Sequence, residues 1–335
     1  MGTPIAPVRL MRISFIFSIV LFASCRILGG ALMAEEGYTA LVTAYDPEIE
    51  ELMDYLEATP EFQLLAEEKD RGVHYRLGQF GEEPVVIFVT GMSIANAAMT
   101  LQMALDRYPI DRVLYSGIAG AVNPDLKVGD VVIPARWYYH DESAYFNPVS
   151  GDPENHIVAD YFLKTSRFYP ENRPDDPHIP GYDNFGMIYP DEVLVIKEGW
   201  EKPEEVSYFA AEESFLAATT RALEDLPTLP VTEGRDARIF VGGNGVTGSV
   251  FVDHLQYRQW LRQVWKAEVT EMESAAIGQV CFVNEVPWVI VRGVSDLAGG
   301  QSGKNEENIF DRVASLNAAR VLVGILRELE SPAED

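Results

Sequence analysis

The chain has 335 residues, 47% hydrophobic and 23% charged, so it can bury a full core and is not disordered as a whole. Asp and Glu number 52 against 26 Lys and Arg, a formal charge of -26, which excludes a surface built to track nucleic-acid phosphates. Two cysteines, Cys25 and Cys281, exclude a disulfide scaffold and a thiolate zinc site, and five histidines without HExxH spacing offer no histidine metal site. No metal and no cofactor is expected.

Arg9 and Arg12 precede an apolar run from Ile13 to Ala23, and small residues follow. A basic start and a run too short to span a membrane comfortably predict a secretory signal over residues 1–34. A buried N-terminal helix is the alternative. Phe22-Ala23-Ser24-Cys25 also resembles a bacterial lipobox, with Phe where Leu is usual, which would put a lipid on Cys25. The expected location is secreted or periplasmic, and the signal or that lipid is the only tie to a membrane. Residues 35–335 then form one domain, in which Cys281 reads as a packed core residue.

Thr39–Thr43 reads as a buried strand, followed by Ile49, Leu52, Met53 and Leu56 at helical spacing. Asp46 before Pro47 predicts an N-cap with proline at the first helical position. Val85–Val89 is a second strand, and Ile94, Ala98, Leu101, Leu105 and Tyr108 mark a helix face. Val113-Leu114-Tyr115 leads into Gly117-Ile118-Ala119-Gly120, and Val131–Ile133 follows a turn at Gly129-Asp130. Further strands are read at Arg238–Val241, near Val269 and at Val286–Val291, before a closing helix through Ile309, Val313, Leu316, Val323 and Leu326. This alternation predicts an α/β domain with helices on both faces of a sheet. Residues 141–205 break the rhythm with eight of the 20 prolines, and read as an insertion on the same domain.

Gly243-Asn244-Gly245-Val246-Thr247-Gly248 matches GxGxxG after a strand. A dinucleotide site needs a helix to begin at that loop, but Ser249–Val252 intervene and Asp253 looks like the next helix cap. Turn chemistry, or a loop approaching a smaller ligand, fits better. Gly91-Met92-Ser93-Ile94-Ala95 has the outline of a nucleophile elbow, yet no late histidine follows, so a corner with Ser93 as N-cap is expected. Glu271-Met272-Glu273-Ser274-Ala275-Ala276 opens a helix, where two acids suit an N-terminus. The strand Trp288–Val291 runs into Arg292-Gly293-Val294-Ser295-Asp296, where open α/β folds place ligands; a structural Arg292–Asp296 ion pair is the equal alternative.

EMESAA followed by VRGVSDLAGG resembles the nucleoside phosphorylase/nucleosidase superfamily, and most of all the 5′-methylthioadenosine/S-adenosylhomocysteine nucleosidases and their secreted relatives. Ala44-Tyr45-Asp46-Pro47-Glu48-Ile49, Ser116–Ala121 with Leu126–Val132, and Gly248–Asp253 support the match in order. It covers about residues 38–140 and 236–328. The resemblance implies a single-domain α/β sandwich with a central mixed sheet flanked by helices, and a homodimer or larger homo-oligomer.

By the same resemblance, Asp296 protonates the departing purine, Glu48 activates water, and Arg292 orients Glu48 or binds phosphate. Glu273 and Met272 hold the ribose, and Phe251 with the Val252 backbone holds the base. Ile118, Ala119, Gly120 and Tyr45 complete the pocket. Apolar Ile118 stands where Ser or Thr is common in compact nucleosidases. The expected activity is hydrolysis of a purine nucleoside to free base and ribose product. A phosphorylase, or a non-catalytic nucleoside-binding protein on the same fold, are the alternatives.

Overall fold

The computed structural model describes residues 37–165, 185–231, 235–305 and 307–330. Chain contacts separate Met1–Glu36 from Gly37–Asp335, and the fold below belongs to the second unit. The expected signal segment, with Cys25, lies outside the described residues, as do residues 166–184 of the expected insertion.

The chain begins with β1 (Tyr38–Thr43), α1 (Asp46–Glu57), β2 (Phe62–Asp70), β3 (Val73–Phe80), β4 (Glu83–Val89), α2 (Ile94–Arg107) and β5 (Ile110–Ala121). Two short strands follow, β6 (Val131–Ile133) and β7 (Arg136–Tyr139), and then the irregular segment. The order resumes with β8 (Phe209–Ala210), α3 (Glu213–Asp225), β9 (Ile239–Val241), β10 (Asn244–Thr247) and α4 (Leu255–Trp265). It closes with β11 (Ala267–Glu271), α5 (Ser274–Asn284), β12 (Trp288–Asp296) and α6 (Glu307–Glu330).

Among the described residues these strands form one mixed sheet of twelve, in the order β8-β7-β10-β11-β5-β1-β4-β3-β2, with β12 beside β5 and β6 between β12 and β9. The long β5 is its spine. It runs parallel to β1 and β12, and its far end pairs antiparallel with β11 at Ala121–Val269 and Gly120–Thr270. The carboxyl ends of β5 and β11 therefore overlap.

Strand periodicity divides the core into two layers. Ala40, Val42, Val86, Phe88 and Ile290 face Ala97, Leu101, Ala275 and Ile277 of α2 and α5. Their neighbours Leu41, Val85, Ile87, Val289 and Val291 face Ile49, Leu52 and Leu56 of α1 and Leu322 and Leu326 of α6. Strands covered on both faces read as unbroken apolar runs, which is why β1, β4 and β12 are evident without alternation. A third cluster sets Tyr138 and Val246 under Trp260, Leu261 and Trp265 of α4. Cys281 is a buried free thiol in the first layer.

Several local expectations are corrected. The cap of α1 is Tyr45, and Asp46 is its first helical residue. The cap of α4 is His254, not Asp253; its ring accepts from the Tyr257 N–H at 3.1 Å. Gly117–Gly120 belongs to the carboxyl-terminal part of β5, and Asn244–Thr247 is strand rather than loop. The β2–β3 hairpin went unread because β2 is largely exposed and carries no apolar period. Around 141–206, the described parts form small antiparallel pairs: Ser143–Tyr145 with Ile188–Pro190, Pro148–Val149 with Asp152–His156, and Val193–Val195 with Glu204–Val206.

Candidate active site

A cleft of about 130 Å³ opens where the carboxyl ends of β1, β5, β11 and β12 meet. Its lining includes Tyr45, Glu48, Ile118, Ala119, Gly120, Phe251, Met272, Glu273 and Asp296, so nine of the eleven residues expected from sequence come together. Val252 is buried beside the cleft without lining it. Arg292 is wholly buried behind the wall.

Glu48 projects from the first turn of α1, just past the end of β1. Its Oε2 accepts the Ala44 N–H at 2.7 Å and its Oε1 the Ile118 N–H at 2.9 Å. Gly117 makes this approach feasible: a Cβ there would overlap Arg292 Nη1 and lie 2.6 Å from Glu48 Oε1. Burial pushes Glu48 up to about 7 against the pull of Arg292 and the backbone donors. Burial wins because the single cation is shared. Arg292 Nη2 bonds Glu271 and reaches Glu273 Oε2 at 3.4 Å, while Nη1 stays 3.8 Å from Glu48. Its Nε and Nη2 also donate to Ser274 Oγ at 3.1 and 2.8 Å, and its plane lies over the Tyr115 ring. Arg292 pairs with these acids and not with Asp296, so the expected alternative of an Arg292–Asp296 pair is set aside.

The two acids of EMESAA divide their work. Glu271 caps α5: it accepts the N–H of Glu273 at 3.0 Å and of Ser274 at 3.1 Å, besides the Thr247 hydroxyl. The helix-terminus reading holds for it. Both line the cleft, but Glu273 turns to α2, its Oε1 accepting the Ser93 N–H at 2.7 Å. Burial and the neighbouring Glu271 charge hold Glu273 well above the ordinary carboxylate range, with Arg292 opposing. Ser93 makes no side-chain cap bond; its backbone, at φ 82° and ψ 154°, turns the N–H onto Glu273.

Asp296 ends β12 at a bulge. Val294 pairs with Ala119 and Asp296 with Gly120, so Ser295 is the extra residue and both Ser295 and Asp296 line the cleft. Gly120 leaves room, since a Cβ would stand 3.0 Å from Asp296 Oδ1. Oδ1 accepts the Ala298 N–H at 2.8 Å and the Asn305 amide at 3.2 Å, and Oδ2 takes the Ser295 hydroxyl at 2.9 Å. Burial raises Asp296 above its ordinary value in spite of these donors, and the Asp253 charge adds to the rise.

Sequence reasoning did not single out Ala44, Met92, Thr270, Glu271 or Ser295, which also line the cleft. Three of them, Ala44, Glu271 and Ser295, adjoin residues expected in the site. Phe251 is 61% exposed and Met92 56%, and both stand at the mouth. Among the lining residues there are four carboxyl groups and no Lys, Arg or His.

A model of the phosphorylase superfamily matches residues 38–327. A 5′-methylthioadenosine/S-adenosylhomocysteine nucleosidase of Mycobacterium bovis is 28% identical over 249 residues, 74% of this chain and 83% of that protein. One from Bacillus thuringiensis is 26% identical over 293 residues, 87% of this chain and 99% of that protein. In structure, the chain is similar to the Neisseria meningitidis nucleosidase of the same name in complex with methylthio-immucillin-A, with TM-score 0.59, 22% identity and 87% and 99% coverage. It is also similar to the futalosine hydrolase of Helicobacter pylori, with TM-score 0.58, 17% identity and 88% and 98% coverage.

Proposed function

The chain belongs to the phosphorylase superfamily, and from that premise we propose that it is a purine nucleosidase, cleaving the C1′–N9 bond of an adenosine-type or 5′-methylthioadenosine-like nucleoside with water. The observation that carries hydrolysis is the wall of the cleft: four carboxyl groups, an apolar Ile118 and no cation. A phosphate dianion needs several donors, and Arg292, the nearest cation, is buried and engaged with Glu271, Glu273 and Ser274. A water nucleophile needs only a base.

In this reading Glu48 is that base, poised near neutral pH by burial. It takes a proton from water as the oxygen bonds to C1′. Asp296, whose burial favours the protonated form, gives its proton to the purine as the C1′–N9 electron pair leaves with the base. Glu273 accepts from ribose hydroxyls and favours positive charge on the sugar. Met272 packs on the ribose with a polarizable, uncharged side chain, and Phe251 stacks on the base. Arg292 is a positioning residue: it holds Glu271 and Glu273 and tempers Glu48.

We also place the protein outside the cytoplasm, on the residue 1–34 signal pattern, and in a homo-oligomer. Exposed Met92, Met99, Val250 and Leu255 support a second copy covering apolar surface; light scattering of residues 35–335 tests this, and a monomer would refute it.

The deciding experiment incubates residues 35–335 with adenosine, inosine and methylthioadenosine, with and without phosphate. Free ribose or a 5′-modified ribose made without phosphate, and lost in Asp296→Asn, is expected. Ribose 1-phosphate made only with phosphate would replace the nucleosidase by a phosphorylase. Nucleoside binding without turnover would leave a binding protein.

A further inference from the structure

The segment after β12 folds back over the acid. Ala298 has φ 50° and Gly299 φ 88°, and the Gly300 N–H returns to Leu297 O at 2.8 Å. Gly299 lies on backbone: a Cβ there would stand 2.7 Å from the carbonyl carbon of Asp253. Gln301 Nε2 donates to Asp253 Oδ1 at 2.6 Å. Arg258 of α4 lies beneath Gly300, its Nε donating to Ala121 O at 2.8 Å. These contacts tie residues 297–301 to the segment that carries Phe251. The chain then returns far enough for Asn305 to reach Asp296.

The two oxygens of Asp296 are unequally served. Two N–H donors, from Ala298 and Asn305, point at Oδ1. A proton placed on Oδ1 would confront both. Oδ2 meets only a hydroxyl among these three partners, Ser295 Oγ, which has a second acceptor in Ala119 O at 3.4 Å. A hydroxyl can turn and accept, whereas an N–H cannot.

We propose that Asn305 is a positioning residue that decides which oxygen of Asp296 carries the acidic proton: with the Ala298 N–H it saturates Oδ1, so the proton stands on Oδ2 beside Ser295. Without substrate the Ser295 hydroxyl accepts from Oδ2–H and donates to Ala119 O; with purine bound, the Oδ2–H turns from Ser295 to the purine nitrogen. As the O–H bond at Oδ2 breaks, the purine nitrogen takes the proton and the C1′–N9 pair passes to the base. Ser295 then turns to donate to Oδ2. The new carboxylate finds its Oδ1 donors already in place, and such preorganised donors cost no rearrangement at the moment of transfer.

This inference rests on the reading of Asp296 as the acid. The charged groups around that carboxyl are Asp253, whose charge disfavours its ionisation, and Arg258 under the turn. Glu48, Glu271 and Glu273 stand in the same cleft, with Arg292 behind them. Asn305 donates to the ionised form, so its loss makes Asp296 a weaker acid. Asn305→Asp goes further, placing a second carboxyl against Oδ1.

The test is the pH profile of kcat/KM for Asn305→Ala and Asn305→Asp in residues 35–335. Glu48→Asp identifies the limb belonging to the base, and the other limb is assigned to Asp296. In Asn305→Ala the Asp296 limb moves alkaline by about one pH unit and kcat falls about tenfold, with the base limb fixed. In Asn305→Asp the Asp296 limb moves further. A lower rate with the limb unmoved in both variants, or a shift toward acid, overturns the proposal and leaves Asn305 a loop anchor. Melting curves show that each variant is folded. Turnover surviving in Asp296→Asn would instead overturn the acid itself, a separate outcome.

Discussion

Arg292 Nη1 stands 3.8 Å from Glu48 Oε1, while Nη2 of the same guanidinium is bonded to Glu271. The buried cation thus acts mainly on the carboxylate at the start of α5 and only lightly on Glu48. That asymmetry leaves Glu48 at about 7, where a catalytic base is most useful at neutral pH.

Glu48→Gln follows from this with a definite sign. The folded value, about 7, lies above the ordinary 4.5, so the fold prefers the neutral acid. Its contribution is complete below about pH 4.5 and is lost as pH rises through about 7. Glu48→Gln should therefore be about 3 kcal/mol more stable than the parent at pH 8 and nearly equal to it at pH 4. It should also abolish turnover. Urea melts at the two pH values check the first claim; an equal difference at both would sink it.

Gly117→Ala tests the tightness behind the base. The new methyl would sit on Arg292 Nη1 and 2.6 Å from Glu48 Oε1, both buried. Overpacking of this kind costs about 1–3 kcal/mol, and displacing Glu48 by an ångström costs on the order of a hundredfold in rate. Gly303→Ala is the control, since no atom lies within 4 Å of a Cβ there. Equal melting temperatures for the two variants would contradict the account.

Phe251→Ala separates binding from folding. The ring is 61% exposed, so its loss should change stability by less than about 1 kcal/mol. A base stacked on it loses about 1–3 kcal/mol, so KM should rise about tenfold. Unchanged KM would remove Phe251 from the base site.

Ser93→Gly probes stored strain. At φ 82° and ψ 154° a side chain costs on the order of 1–3 kcal/mol, partly offset by the greater freedom of glycine in the unfolded chain. The variant should be about 1 kcal/mol more stable. Differential scanning calorimetry would show a rise of a few degrees in Tm; a fall would mean that the serine conformation carries no strain.

The sequence by itself determined the α/β class and named most of the residues that line the cleft. Strands covered on both faces must be apolar throughout, so β1, β4 and β12 announce themselves, and the helices between them follow by spacing. Tyr45, Glu48, Phe251, Met272, Glu273 and Asp296 were identified because motif order carries the resemblance. Only the tertiary structure decided what each acid does. Glu271 and Glu273 are two residues apart and both line the cleft, yet Glu271 accepts the N–H groups that open α5 while Glu273 accepts the Ser93 N–H. Gly117–Gly120 continues β5, which brings Gly117 against Arg292 and Gly120 against Asp296. The bulge at Ser295, the strain at Ser93 and the reach of Asn305 had no sequence signal. Each is a relation between segments distant in the chain, and periodicity reports only which face of an element is buried, not what it meets there.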